Sequence, residues 1–374
     1  MRDLMVYLKT TETCQLNCKH CFTNGTNGKK GWFDPHAVVD FFHRYREKFP
    51  VLNSVNISFH GGEPMLCPLD RMNHVYDTVK NLWPNLTWGI QTNLTYPMTK
   101  AKLEFLKRVS GTSIGTSWDR SIRWQGNLAQ ERQWEKNVRL LVREGVDVTV
   151  MVCLAKDVLE LEPKDILDKM IDLGVKYVNF ERITADGNAR ENSDIVPDNL
   201  ALDAWFLKLW EQTVEHKYYE KILNMFLESI LTSAMYNTFS GCRSRGCEQK
   251  ILTLNADGRV GGCPNGAVET TFGSIHQPID ELLSAPGRGC NITKELMRND
   301  ICYTCDVYDI CNGDCHQLNW QGDVCASPKS MMRAIKEASP DVLKDVLNGF
   351  MGVEGITYQT SPAESSNLIP VKLV

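Results

Sequence analysis

Between residue 3 and about residue 181, apolar runs of strand length alternate with stretches whose apolar positions recur every three or four residues. That alternation predicts repeated βα units around a parallel sheet. Six strands are expected, over residues 4–8, 54–59, 87–92, 112–117, 147–154 and 177–180. Asp34-Pro35 and Glu162-Pro163 each put a capping residue before a proline at the first helical position, and Gly145 and Gly174 fall where helices should stop, each followed by valine. Six units predict an α/β fold, a partial (β/α)6 TIM-like barrel over residues 1–197, with its chemistry at the C-terminal strand ends.

Residues 198–240 lose the alternation and predict a helical linker. There Leu202, Trp205, Phe206, Leu209 and Trp210 recur at helical spacing, as a core-facing stripe does. Residues 241–330 are short of long apolar runs and dense in Cys, Gly and Asn, so a small domain organised by metal is expected. Residues 331–374, with Pro340, Pro362 and Pro370 and a Ser-rich stretch, predict a helix followed by a loose tail.

Composition narrows the function. A net charge of -5 over 374 residues supplies no general field for polyanions, so nucleic acid is not an expected partner. A cleavable signal and a membrane-length apolar run are not legible, which predicts a cytoplasmic protein off the membrane. Fourteen cysteines are too many for a reducing compartment unless they bind metal. Three lie in Cys14-Gln-Leu-Asn-Cys18-Lys-His20-Cys21, Cys67 and Cys153 stand alone, and nine crowd between Cys242 and Cys325. Three thiolates on a tight loop can hold three irons of a four-iron cluster and leave the fourth iron open, whereas a zinc knuckle would draft His20 as fourth ligand.

Cys-x3-Cys-x2-Cys after the first strand resembles the signature of the radical S-adenosylmethionine superfamily. Further matches are His60-Gly61-Gly62-Glu63-Pro64 after the second strand, Gln91-Thr92-Asn93 after the third and Ser117-Trp118-Asp119 after the fourth. Leu94 and Arg120 stand where the family's patterns place glycine, and Trp118 is a further departure that alters the expected pocket. The resemblance implies a [4Fe-4S] cluster on Cys14, Cys18 and Cys21 and a site for S-adenosylmethionine. That site would use His20 by the adenine, Gly61, Gly62 and Pro64 by backbone approach, Glu63 at the ammonium, Gln91 and Asn93, Ser117 at the ribose, and Arg123 or Arg132 at the carboxylate.

Cys247-x10-Gly258-x4-Cys263, followed by Cys302-x2-Cys305-x5-Cys311-x3-Cys315 and Cys325, is similar to the SPASM extension of that superfamily. It implies two auxiliary [4Fe-4S] clusters, one on Cys242, Cys247, Cys263 and Cys315 and the other on Cys302, Cys305, Cys311 and Cys325. Cys67, Cys153 and Cys290 are expected to be small buried residues. Most such enzymes modify peptides, so the resemblance implies an oxidoreductase that matures a ribosomally made precursor peptide, with an intrapeptide C–C, ether or thioether cross-link as the expected product. Sulfatase-type formylglycine formation is disfavoured because Pro264 and Asn265 follow Cys263 where those enzymes carry aspartate. A small-molecule dehydrogenase and a non-catalytic zinc-binding module are the alternatives.

Asp119, Glu181 and Arg182, at predicted strand ends, are the candidate substrate-side groups, Trp118 and Trp124 are better read as packing than as a peptide groove, and His60 as support for the turn. Only 13 residues precede Cys14, too few for a peptide-recognition domain. Peptide capture is therefore expected on another surface of the chain or on a separate recognition protein, and a flavodoxin- or ferredoxin-type electron donor is an expected partner.

Overall fold

A computed structural model describes residues 3–354 except 24, 112 and 267–269. Its first half alternates strand and helix: β1 Asp3–Lys9, α1 Pro35–Lys48, β2 Ser54–His60, α2 Leu69–Val79, β3 Leu86–Ile90, α3 Lys100–Val109, β4 Ile114–Ser117, α4 Arg120–Trp124, α5 Leu128–Arg143, β5 Val148–Leu154, α6 Pro163–Asp172 and β6 Tyr177–Arg182. All six expected strands form. Of the residues predicted for the fourth, Thr112 lies outside the described set.

Local grammar explains the helix boundaries. Asp34 accepts the N–H groups of His36 and Ala37 at 2.9 and 3.3 Å, capping α1 ahead of Pro35. Glu162 also precedes α6, but its carboxylate binds Lys208 and Gln212 instead, each at 2.9 Å. Gly145 and Gly174 take φ of 75° and 78°, the left-handed turn that ends a helix cheaply.

The wall of the barrel is one curved series of parallel strands. A seven-residue register joins β1 to β2, β2 pairs β3, and β4, β5 and β6 pair in turn, with Gln91 and Gly115 bridging the two sheets. Four further strands were not expected, two of them in the wall. The two-residue β7, Leu223–Asn224, closes against β6, between helices α7 Asn199–Glu215 and α8 Met225–Tyr236. After the short helix α9, Cys247–Lys250, strand β8, Ile251–Leu254, joins β1 in parallel from within the cysteine-rich segment. Its Ile-Leu-Thr-Leu run is too short to read as a strand alone, yet Leu252 and Leu254 are fully buried once docked.

Alternation across the strands sorts chemistry from core. Leu4, Val6, Leu8, Val55, Ile57, Phe59, Val150, Val152 and Phe180 are buried on the helix-covered face. The registers put Tyr7, Lys9, Ser58, His60, Gln91, Ser117, Cys153 and Glu181 on the other face, around the barrel interior.

The helical stripe is core, as expected: Leu202, Trp205, Phe206, Leu209 and Trp210 are buried, and the Trp205 indole donates to the Leu161 carbonyl at 2.9 Å. Strands β9 Arg259–Gly261 and β10 Gly273–Ser274 extend the sheet beyond β8, before α10 Ile279–Leu283, α11 Pro286–Leu296 and α12 Tyr308–Cys311. Two helices, α13 Lys329–Glu337 and α14 Pro340–Val353, replace the single one expected, because Pro340 opens a helix capped by Ser339. The predicted tail from residue 355 lies outside the described residues. No described helix is long and apolar enough to cross a membrane.

Candidate metal and cofactor site

The three N-terminal cysteines sit on the loop leaving β1. The Leu16 N–H donates to Cys14 Sγ at 3.3 Å, the Thr23 N–H to Cys21 Sγ at 3.5 Å and Asn93 Nδ2 to Cys14 Sγ at 3.4 Å. Burial, then the charges of Glu63, Cys18 and Cys21, push the Cys14 thiol up to about 12; burial chiefly lifts Cys18 to about 11, with Arg123 opposing. Crowded buried thiols of this kind fit a cationic iron-sulfur core that takes them as thiolates.

The loop is held by backbone pairing to the segment after β2. The N–H groups of Gly62 and Glu63 donate to the carbonyls of Thr11 and Thr13 at 2.8 and 2.9 Å. A Cβ on Gly61, at φ 147°, would lie 2.5 Å from the Thr11 carbonyl oxygen, and one on Gly62 2.1 Å from that of Thr13. Only glycine permits this approach. Pro64 is buried at the start of the next turn.

Glu63 is fully buried and spends its carboxylate on this frame. Its Oε1 accepts from the Met65 N–H at 2.9 Å and the Thr92 hydroxyl at 2.6 Å, and its Oε2 from the Asn93 N–H at 2.7 Å. Burial lifts it to about 7 against those bonds. Gln91 Nε2 donates to Ser117 Oγ at 3.2 Å, so the ends of β3 and β4 are tied next to the same loop.

The two departures from the motif glycines keep the glycine backbone. Leu94 has φ 53° and Arg120 φ 47°, both left-handed. Each costs about 1–2 kcal/mol for an L-residue. Leu94 offsets this by complete burial, and Arg120 by donating to the Asp157 carbonyl. Trp118 does not alter the pocket as expected: it is buried and its indole donates to Glu131 at 2.9 Å, away from the interior. Trp124 is buried against Trp134, with ring centroids 6.2 Å apart, so both tryptophans pack.

The two arginines separate. Arg123 is half-buried beside the cysteine loop and bound to Asp119 through Nε at 2.7 Å and a terminal nitrogen at 2.6 Å, while Arg132 is exposed on α5. Asp119 is therefore not the pocket-facing group expected. It is 1% exposed, and its other oxygen accepts the Cys153 N–H at 2.7 Å. His20 Nε2 stands 3.4 Å from Asp119, yet burial lowers the imidazole to about 4 and leaves it neutral.

Arg182 also turns from the interior, because it grips Asp314 through both terminal nitrogens and lies 4.8 Å from the Phe226 ring centre. Asp314 in turn accepts from the Cys315 N–H at 2.8 Å and the Ser327 hydroxyl at 2.9 Å. The pair fastens β6 to the C-terminal cysteine loops. Glu181 is different: it is exposed toward the barrel interior while protein surrounds it, and that burial raises its carboxyl against the pull of Arg182.

The C-terminal thiols fall into two groups. Cys242 bonds to Cys247 and Cys315, and Cys263 interacts with Cys315. Cys302, Cys305, Cys311 and Cys325 line one cavity, which Cys315 also lines. Each group offers four thiols, the donor number of a fully ligated four-iron cluster. Of the three cysteines set aside, only Cys67 is buried; Cys153 faces the interior half-exposed, and Cys290 is exposed on α11.

Two residues at this site were missed. Tyr7 stands against His60, with ring centroids 5.5 Å apart, and burial and then Cys263, Cys242 and Cys247 raise its hydroxyl well above the ordinary value. Lys9 is wholly buried with no partner for Nζ among the described residues; burial lowers it to about 8, against Glu12, Cys21 and Cys263. Both lie in phase with the inward positions of β1, a signal visible only once the inward face is known.

No protein-family profile matches the chain. A radical SAM cyclopropyl synthase, TigE of Paramaledivibacter caminithermalis, is 22% identical over 330 residues, 83% of this chain and 67% of that protein. The solved structure of anSMEcpe with AdoMet and the Cp18Cys peptide superposes with a TM-score of 0.74 at 16% identity, over 92% of this chain and 99% of that one. Streptococcus suis SuiB bound to the precursor peptide SuiA superposes with a TM-score of 0.58 at 15% identity, over 84% and 72%.

Proposed function

We propose, for a chain that has the fold and the cysteine motifs of radical S-adenosylmethionine enzymes with a SPASM extension, that it modifies a ribosomally made precursor peptide and closes a cross-link within it. The observation carrying this reading is the grouping of the cysteines: Cys14, Cys18 and Cys21 on the loop leaving β1, Cys242, Cys247, Cys263 and Cys315 near one another, and Cys302, Cys305, Cys311 and Cys325 around one cavity. When bound, the N-terminal cluster and S-adenosylmethionine would supply the 5′-deoxyadenosyl radical that takes hydrogen from the peptide, and the two auxiliary clusters a path for electrons.

The chain's own residues supply the rest. Gly61 and Gly62 would allow the cofactor's backbone cradle, and Glu63, which holds that cradle rigid, keeps acceptor capacity on Oε2 for the ammonium. Ser117 and Gln91 would hold the ribose, Asn93 supports Cys14, and His20, neutral, would lie by the adenine. Arg123, oriented by Asp119, is the cation for the carboxylate, a role for which exposed Arg132 is poorly placed. Glu181, raised by burial and close to Tyr7 and Cys242, is the group suited to accept the proton that a substrate loses on oxidation. Electrons would come from a flavodoxin- or ferredoxin-type donor, and a separate protein would present the peptide.

The test measures iron and sulfide in anaerobically reconstituted protein and 5′-deoxyadenosine release, against a variant with Cys14, Cys18 and Cys21 all changed to alanine. About twelve irons in the parent, about eight in the variant and deoxyadenosine from the parent alone are expected. Four irons or fewer with no deoxyadenosine would overturn the reading.

A further inference from the structure

Two glutamates are buried behind the first group of auxiliary cysteines: Glu248 is 3% and Glu295 1% exposed. From α11, Glu295 accepts the Cys247 N–H at 2.8 Å on one oxygen and the Glu248 N–H at 3.1 Å on the other. Glu248 accepts the Cys263 N–H at 3.1 Å on Oε1. Its Oε2 is buried with no hydrogen-bond partner among the described residues, and it lies over Gly262, where a Cβ would approach within 1.7 Å. Arg288 is the cation that acts on Glu248, but its guanidinium donates to the carbonyls of Leu283 and Gln249 at 2.9 and 3.0 Å.

An iron-sulfur cluster is easier to reduce when N–H groups donate to its sulfurs and harder to reduce when negative charge is buried beside it. The N–H groups of Asn265 and Gln317 do donate to Cys263 and Cys315, so what distinguishes this group is buried negative charge. The amides of Cys247 and Cys263 donate to carboxylates, and those carboxylates are themselves buried charge. Lys9 acting on Cys263, Arg182 on Cys315 and Arg243 on Cys242 are the opposing cations. The second group is surrounded differently: Arg298 and Lys329 act on Cys302, Arg243 on Cys311, Asp306 is paired with Arg333, and Asp314, shared with Cys315 of the first group, is paired with Arg182.

We propose that Glu295 and Glu248 are positioning residues that hold the first auxiliary cluster at a lower potential than the second. A reduced first cluster would then give its electron to an oxidised second one, the first being oxidised as the second is reduced. This inference rests on the two-auxiliary-cluster reading above.

The experiment is a dithionite potentiometric titration of the iron-loaded protein, followed by electron paramagnetic resonance, on the parent, Glu295→Gln and Glu248→Gln. Each glutamine keeps an acceptor oxygen for the cysteine N–H and removes the charge. The expected result is unchanged iron content and one auxiliary wave, the lowest of the two, moved upward by a factor of ten or more in the reduced-to-oxidised ratio at fixed potential, about 59 mV for one electron. The two glutamates sit on different elements, so if one variant loses iron the other is read alone. Full iron with every wave in place, or the higher auxiliary wave as the one that moves, overturns the proposal. A parent that binds no auxiliary iron instead refutes the functional reading beneath it.

Discussion

Arg182→Met is the substitution that separates a clamp from a substrate-facing arginine. It leaves Asp314, 2% exposed at its side chain, buried without the cation that held it. Breaking a buried bidentate pair by removing one partner costs about 3–5 kcal/mol, because the remaining charge keeps its desolvation penalty. The double variant Arg182→Met, Asp314→Asn removes that charge and should recover about 1–3 kcal/mol of the loss.

Anaerobic urea unfolding of the iron-loaded proteins gives the energies, and absorbance near 400 nm follows the clusters, since Asp314 also holds the Cys315 N–H. The pH dependence has a fixed sign. Arg182 holds the Asp314 carboxyl below its ordinary range, so the pair's contribution is complete above about pH 4 and is withdrawn as pH falls through the lowered folded value. The gap between parent and Arg182→Met should therefore narrow on acidification. A cost under about 1 kcal/mol with iron intact, or a double variant no more stable than the single, would refute the clamp; lost turnover at parental stability would return Arg182 to the substrate side.

Glu181→Gln should keep iron content and S-adenosylmethionine affinity but lower peptide product at least a hundredfold, as loss of a general base does; equal product yield removes Glu181 from the chemistry. Gly62→Ala forces the cysteine loop from the Thr13 carbonyl, so affinity for S-adenosylmethionine by calorimetry should fall at least tenfold, and an unchanged value would deny the close approach. Burial lowers Lys9 from 10.5 to about 8, so in the metal-free protein the unfolded chain binds the extra proton between those values and stability rises with pH across them. Lys9→Met should abolish that slope and stabilise the metal-free protein at pH 7 by roughly 3 kcal/mol in urea; the same slope in both proteins would show that Lys9 is not the source.

Much of the site was legible because its chemistry is written in short spacings. Cys14, Cys18 and Cys21 had to share one loop, and the βα alternation had to put that loop at the C-terminal end of β1. Leu94 and Arg120 looked like departures from the motif, since a sequence shows the residue and not its φ; the structure keeps the left-handed backbone at both. Asp119 and Arg182 were placed correctly at strand ends, but the direction of each side chain depended on partners, Arg123 and Asp314, that only folding brings within reach.

By itself the sequence determined the barrel's strands, the two cysteine regions and the glycines where chain must touch chain, because each depends on residues near one another in order. Tertiary structure decided what depends on distant segments: that β8 returns from the cysteine-rich region to complete the wall beside β1, that Cys242 and Cys315 meet across 73 positions, and that Glu248 and Glu295 lie buried against the N–H groups of cluster cysteines. Burial and pairing set the charge and reach of a side chain, and neither is a property of the residue alone.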